Sequence, residues 1–108
     1  MTTKQVNKMG FGSLRVNKVN DDMAEVFIYG DIGGWMDGVD AKEFARELKS
    51  LKVTDITARI NSGGGSVFEG QAIYNSLVNH PAKVNVVIDG IAASIASVIA
   101  MSGDTISI

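Results

Sequence analysis

Cysteine is absent from the 108 residues. That excludes disulfides, thiolate metal sites and a cysteine nucleophile. Basic residues are also scarce: ten Lys and Arg stand against twelve Asp and Glu, a net charge of −2. A phosphate-binding face needs clustered cations, so the balance argues against nucleic acid as a partner. No long hydrophobic run occurs. The longest mostly apolar stretch, Val84 to Met101, is interrupted by Asn85, Asp89, Gly90, Ser94 and Ser97, which makes a poor membrane span. The N-terminus lacks a basic region followed by an apolar one, so no signal peptide is expected. Histidine occurs once, at His80, and proline once, at Pro81. The absence of cysteine fits a cytoplasmic protein.

The composition is that of a folded chain, with 45% apolar and 20% charged residues. The length fits one small domain. Residues 1–12 read as a flexible lead-in and residues 13–108 as the domain. Ser13–Val19 and Met23–Tyr29 are β-leaning runs separated by Asn20-Asp21-Asp22, a hairpin pattern. Trp35 and Met36 sit among glycines and could line a pocket or cover a sheet edge. Beyond them, apolar periodicity predicts helices near 40–51, 66–80 and 94–102, and strands near 54–60, 83–89 and 104–108. Asp40 with Glu43, and Ser66 with Glu69, have capping-box spacing. Val67, Phe68, Ala72, Tyr74, Leu77 and Val78 are the candidate core positions of the second helix, which Pro81 terminates. The third is apolar nearly all round and should be buried on most sides. Alternating strands and helices predict an α/β fold with parallel βαβ units.

Two turns carry the candidate chemistry. Each follows a strand and opens a helix, so both should meet at one sheet edge, where open α/β sheets bind ligands. The first, Asn61 to Ser66, contains Gly63, Gly64 and Gly65. It is not a phosphate-binding loop, because Gln71 and Ala72 stand where Lys and Ser or Thr are required. Nor is it a dinucleotide fingerprint, because the third glycine position holds Phe68. Glycines can instead present backbone N–H groups to a developing oxyanion. The second turn, Gly90-Ile91-Ala92-Ala93-Ser94, delivers a serine. Ser94 fits either an ordinary helix N-cap or a nucleophile. His80 belongs at the far end of the second helix, away from these turns.

Ile60-Asn61-Ser62-Gly63-Gly64-Gly65 resembles the Ile-Asn-Ser-Pro-Gly-Gly motif of the Clp protease proteolytic subunit family. Gly90-Ile91-Ala92-Ala93-Ser94 resembles its Gly-x-Ala-Ala-Ser nucleophile motif, and the spacing between the two motifs is similar as well. Gly30-Asp31-Ile32 together with Ala41 to Leu51 is most similar to the phage and prophage branch, the head maturation proteases. The resemblance implies a spiral of ββα units, shared with enoyl-CoA hydratase-like (crotonase) enzymes. It implies a serine endopeptidase with Ser94 as nucleophile, the amides of Gly65 and Ile95 as oxyanion hole, and Gly64 and Ser66 binding substrate. It implies a polypeptide substrate, a homo-oligomeric ring, and an ATP-dependent unfoldase or phage capsid proteins as partners. No cofactor or metal is expected.

Two departures from the family pattern stand out. Gly63 replaces the family's proline, and the family's histidine and aspartate lie further along than Ile108. The chain therefore resembles the N-terminal part of such a peptidase. It is expected to be inactive alone and to self-associate through uncovered edges. A non-catalytic ring-forming scaffold and a crotonase-like acyl-CoA enzyme are the alternatives.

Overall fold

The computed structural model describes residues 14–33 and 41–108. The lead-in, the loop of Trp35 and Met36 and the cap at Asp40 lie outside the described residues. The elements are β1 (Leu14–Lys18), β2 (Met23–Tyr29), α1 (Ala41–Ser50), β3 (Asp55–Ser62), α2 (Val67–Asn79), β4 (Lys83–Ala92), α3 (Ile95–Ala100) and β5 (Thr105–Ser107). β1 and β2 form the expected antiparallel hairpin. Its turn is set by the Asn20 side chain, whose Oδ1 accepts the amides of Asp22 at 2.8 Å and Met23 at 3.0 Å. From β2 onward every pairing is parallel, and the sheet order is β1-β2-β3-β4-β5.

That order has a consequence for layering. Crossovers of one hand that always step the same way bring their helices to the same face of the sheet. Alternation along the strands agrees. Ala24, Val26 and Ile28 of β2, Ile56, Ala58 and Ile60 of β3, and Val84 and Val86 of β4 are at most 2% exposed and form one core with the helices. α1 buries Ala41, Phe44 and Leu48, as its spacing predicts.

α2 departs from expectation. It buries Gly70, Ile73 and Leu77, spaced i, i+3, i+7 on one face. Of the predicted core positions only Leu77 is buried and Tyr74 half-buried, while Val67 and Phe68 are 64% and 90% exposed. The helix is apolar on two faces, and the face it buries carries Gly70, whose missing side chain leaves room for Ile95 of α3. α3 is likewise one-sided: Ile95, Ala96, Ile99 and Ala100 are buried, whereas Val98 and Met101 face out.

His80 closes α2. Its Nε2 lies 3.1 Å from the Leu51 carbonyl and its Nδ1 accepts the Ala82 amide at 3.0 Å. Both ring nitrogens are thereby occupied in holding the α1 and β4 ends together, with Nε2 carrying the proton.

The other face of the sheet is polar. The Tyr29 hydroxyl donates to Asp89 Oδ2 at 2.5 Å, and Arg59 Nε lies 3.2 Å from the same oxygen. Phe27 meets Tyr29 edge to face, with ring centroids 5.8 Å apart. Burial, and then the hydrogen bond to Asp89, push the Tyr29 hydroxyl from 10.0 up to about 12. A raised phenol pKa stabilises the fold fully below the unfolded value, and that stability is lost as pH rises through the folded value. Between pH 9 and pH 11, urea unfolding should therefore show a larger loss of stability for the wild type than for Tyr29→Phe. Equal losses would mean that Tyr29 does not sense the fold.

Candidate active site

The buried phase of β3 does not stop at Ile60. Two residues on, it brings Ser62 inside at 1% exposure. A buried hydroxyl needs partners, and Ser62 has them on both sides. It donates to the Gly30 carbonyl at 2.6 Å and accepts the Gly64 amide at 3.1 Å. Its own carbonyl accepts the Ala93 amide at 3.1 Å. One serine thus joins the end of β2, the glycine turn and the turn before α3. Sequence reasoning passed over it. The signal was present: a polar residue continuing the apolar alternation of a strand.

β4 runs three residues past the expected end. Ile60 pairs with Ile88 and Ser62 with Ala92, so Asp89, Gly90 and Ile91 bulge opposite Asn61. The Asn61 Oδ1 accepts the Ile91 amide at 3.2 Å and fills the bulge. The small-residue run read as a turn is therefore mostly strand, and the turn proper is Ala93-Ser94.

Ser94 stands where α3 would have its N-cap, but it does not cap. Its hydroxyl makes no capping hydrogen bond, and its backbone is at φ 55°, ψ −131°. It is the one non-glycine residue with positive φ among the described residues. An ordinary N-cap lies in the β region and spends its oxygen on the helix. A non-glycine residue in this region costs about 1–3 kcal/mol and persists only where its surroundings hold it. The side chain is exposed and lies directly against the glycine turn: a Cβ on Gly64 would fall 2.7 Å from Ser94 Cβ and 3.2 Å from its Oγ.

The other candidate residues surround this point. Gly65, at φ 149°, forms an isolated parallel bridge with Ile32, flanked by Ile32 N–H to Gly64 O at 3.0 Å and Ser66 N–H to Ile32 O at 2.9 Å. Successive peptide groups of a strand point to opposite sides. With Gly64 O and Ser66 N–H facing Ile32, the Gly65 amide is left on the β4 side, from which Ala93 and Ser94 emerge. Ile95 opens α3, where the amide has no intrahelical acceptor. Among the described residues neither amide donates a hydrogen bond. Ser66 caps α2, its Oγ accepting the Glu69 amide at 3.3 Å as its sequence spacing predicts. The Glu69 carboxylate reaches instead to α1, accepting the Ala41 amide at 2.7 Å. His80 is at the opposite end of α2.

A family model described as Clp protease matches residues 16–107. The chain belongs to the Clp protease family. The resemblance read from the two turns thus holds at the level of the family. The ATP-dependent Clp protease proteolytic subunit of Ligilactobacillus salivarius (strain UCC118) is 38% identical over 86 residues, covering 80% of this chain and 37% of its own length. Among solved structures, ClpP1 from Listeria monocytogenes superposes with a TM-score of 0.62 at 30% identity, covering 73% of this chain and 46% of that one. A point mutant of the same protein matches equally well. The expected α/β fold is therefore the ClpP fold, and this Clp family chain spans less than half the length of these relatives.

Proposed function

We propose that this chain carries the nucleophile and oxyanion hole of a serine endopeptidase of the ClpP kind. Ser94 attacks the scissile carbonyl, and the amides of Gly65 and Ile95 receive the oxygen as it becomes negative. Gly64 and Ser66 border the substrate. Gly64 does so by having no side chain in front of Ser94. Ser66 has its amide and carbonyl engaged within the fold and its hydroxyl oxygen accepting from Glu69, so it offers contact surface and the hydroxyl proton as a donor. The observation that carries the reading is the conformation of Ser94: a positive-φ serine on a strand-to-helix turn, with an uncommitted hydroxyl beside Gly64.

Attack by serine needs a base to take its proton. His80, the one histidine of the sequence, has both ring nitrogens engaged elsewhere. The base and its orienting carboxylate are therefore proposed to come from beyond these 108 residues, which alone are inactive or nearly so. The reading extends to a cytoplasmic homo-oligomer acting on polypeptide. Val67, Phe68, Val98 and Met101, apolar and uncovered by the chain's own core, favour contact with further protein. An ATP-dependent unfoldase is the proposed partner, in keeping with the name of the relative. If the gene belongs to a prophage, as Gly30-Asp31-Ile32 and α1 suggest, capsid proteins are the substrate.

The test is labelling by a fluorophosphonate. The full-length protein should be labelled at Ser94, and Ser94→Ala should abolish it. The 108-residue chain should react slower by about 10²-fold or more, the usual contribution of a general base. Fast labelling of the short chain would place a base within it. A folded full-length protein that does not label would be a non-catalytic scaffold.

A further inference from the structure

Gly70 lies in the first turn of α2, where glycine is unfavourable by roughly 1 kcal/mol against alanine. Its neighbour explains the choice. A Cβ on Gly70 would fall 2.2 Å from Cγ1, 3.1 Å from Cγ2 and 3.2 Å from Cβ of Ile95. Ile95 is 7% exposed and is the first residue of α3. Its side chain is buried beside α2, and the crowded atoms include its Cβ, which no rotamer moves. Whatever pushes that side chain pushes the first turn of α3.

We propose that Gly70 is a positioning residue for the oxyanion hole, an inference that rests on the reading above. The two amides assigned to the hole come from different segments, and one helical turn spans the gap between them. Gly65 directly precedes Ser66, the cap of α2. The Gly70 amide donates to the Ser66 carbonyl at 2.9 Å, closing the first hydrogen bond of the helix. The Ser66 hydroxyl, accepting from Glu69, stiffens the same turn. One end of this turn fixes Gly65. The other end, by having no side chain, sets how closely Ile95 approaches. A methyl group at position 70 would move the Ile95 amide away from Gly65 while leaving both donors chemically intact.

The experiment uses a peptide boronic acid on the full-length protein. The Ser94 oxygen adds to boron, its proton passes to solvent, and the tetrahedral anion presents a boron-bound hydroxyl oxygen to the hole. Gly70→Ala should weaken this binding about 10- to 100-fold, somewhat less than the loss of a whole donor. The double variant Gly70→Ala with Ile95→Ala removes both γ-carbons that the new methyl would strike and keeps the residue 95 amide. It should recover most of the lost affinity, although deleting buried atoms lowers its melting temperature. A purely structural role would not give binding that improves as stability falls. Wild-type affinity in Gly70→Ala overturns the inference, as does a folded double variant that binds no better than the single one. If Gly70→Ala does not fold, the double variant is compared with Ile95→Ala instead: equal affinity supports the inference, and a loss of about tenfold in the double variant overturns it. A wild-type protein that forms no adduct refutes the assignment of Ser94 itself, a result distinct from either.

Discussion

Glycine in place of Ser94 should yield a protein that is more stable and catalytically dead. The wild-type residue holds φ 55°, ψ −131° without a capping hydrogen bond to offset the strain. Relief of a strain of about 1–3 kcal/mol exceeds the entropy cost of a new glycine, roughly 0.5–1 kcal/mol. The melting temperature of Ser94→Gly should therefore rise by several degrees. Ser94→Ala keeps a Cβ in the same unfavourable region and should gain little. Peptide hydrolysis by the full-length protein should fall in both by roughly 10⁴- to 10⁶-fold, the scale on which serine nucleophiles are lost. Calorimetry of the three proteins checks the first part and a peptidase assay the second. Should Ser94→Gly melt below Ser94→Ala, the backbone at this turn is not strained, and the observation that carries the proposed function is removed.

The second large effect is on the fold. Gly65→Ala should lower stability by roughly 2–6 kcal/mol, combining a left-handed backbone and an overpacked contact at about 1–3 kcal/mol each. The new Cβ would fall 2.3 Å from the Ile32 carbonyl oxygen and 2.7 Å from the Ile32 nitrogen, both of them backbone, with no rotamer to turn away. The bridge between Ile32 and the glycine turn must open. Hydrogen exchange should then show lost protection at the amides of Ile32 and Ser66, which donate across it. Denaturant unfolding gives the magnitude. A variant within half a kilocalorie of the wild type would mean that the turn can relax without losing the bridge.

What the sequence disclosed and what it concealed divide along physical lines. β3, α2 and β4 were legible because strong local signals agree: the alternation of Ile56, Ala58 and Ile60, the Ser66–Glu69 box, and Pro81 as a stop. The two turns could be brought together from topology alone, since parallel neighbours end on one edge. The choice of face on α2 was not legible. Its apolar residues occupy more than one face, and the buried face is the one where Gly70 leaves room for Ile95 of α3, not the one bearing Phe68. The extension of β4 was hidden because Gly90 reads as a turn, whereas the Asn61 side chain holds the chain in the sheet through a bulge. Most consequential, a serine before a helix reads as a cap. Only the backbone angles of Ser94 separate the cap from a serine held free of the helix.

The sheet order bears on how the protein is made. Strands β1 to β5 lie side by side in the order of synthesis. No strand must be threaded between two that are already paired. On the ribosome the β1–β2 hairpin can close first, as a local contact. Each following helix and strand then docks on an edge that is already in place, at the loop-closure cost of one crossover. Besides the outer edge of β1, the emerging polypeptide therefore exposes one growing edge at a time, and the next strand to leave the tunnel is the one that covers it.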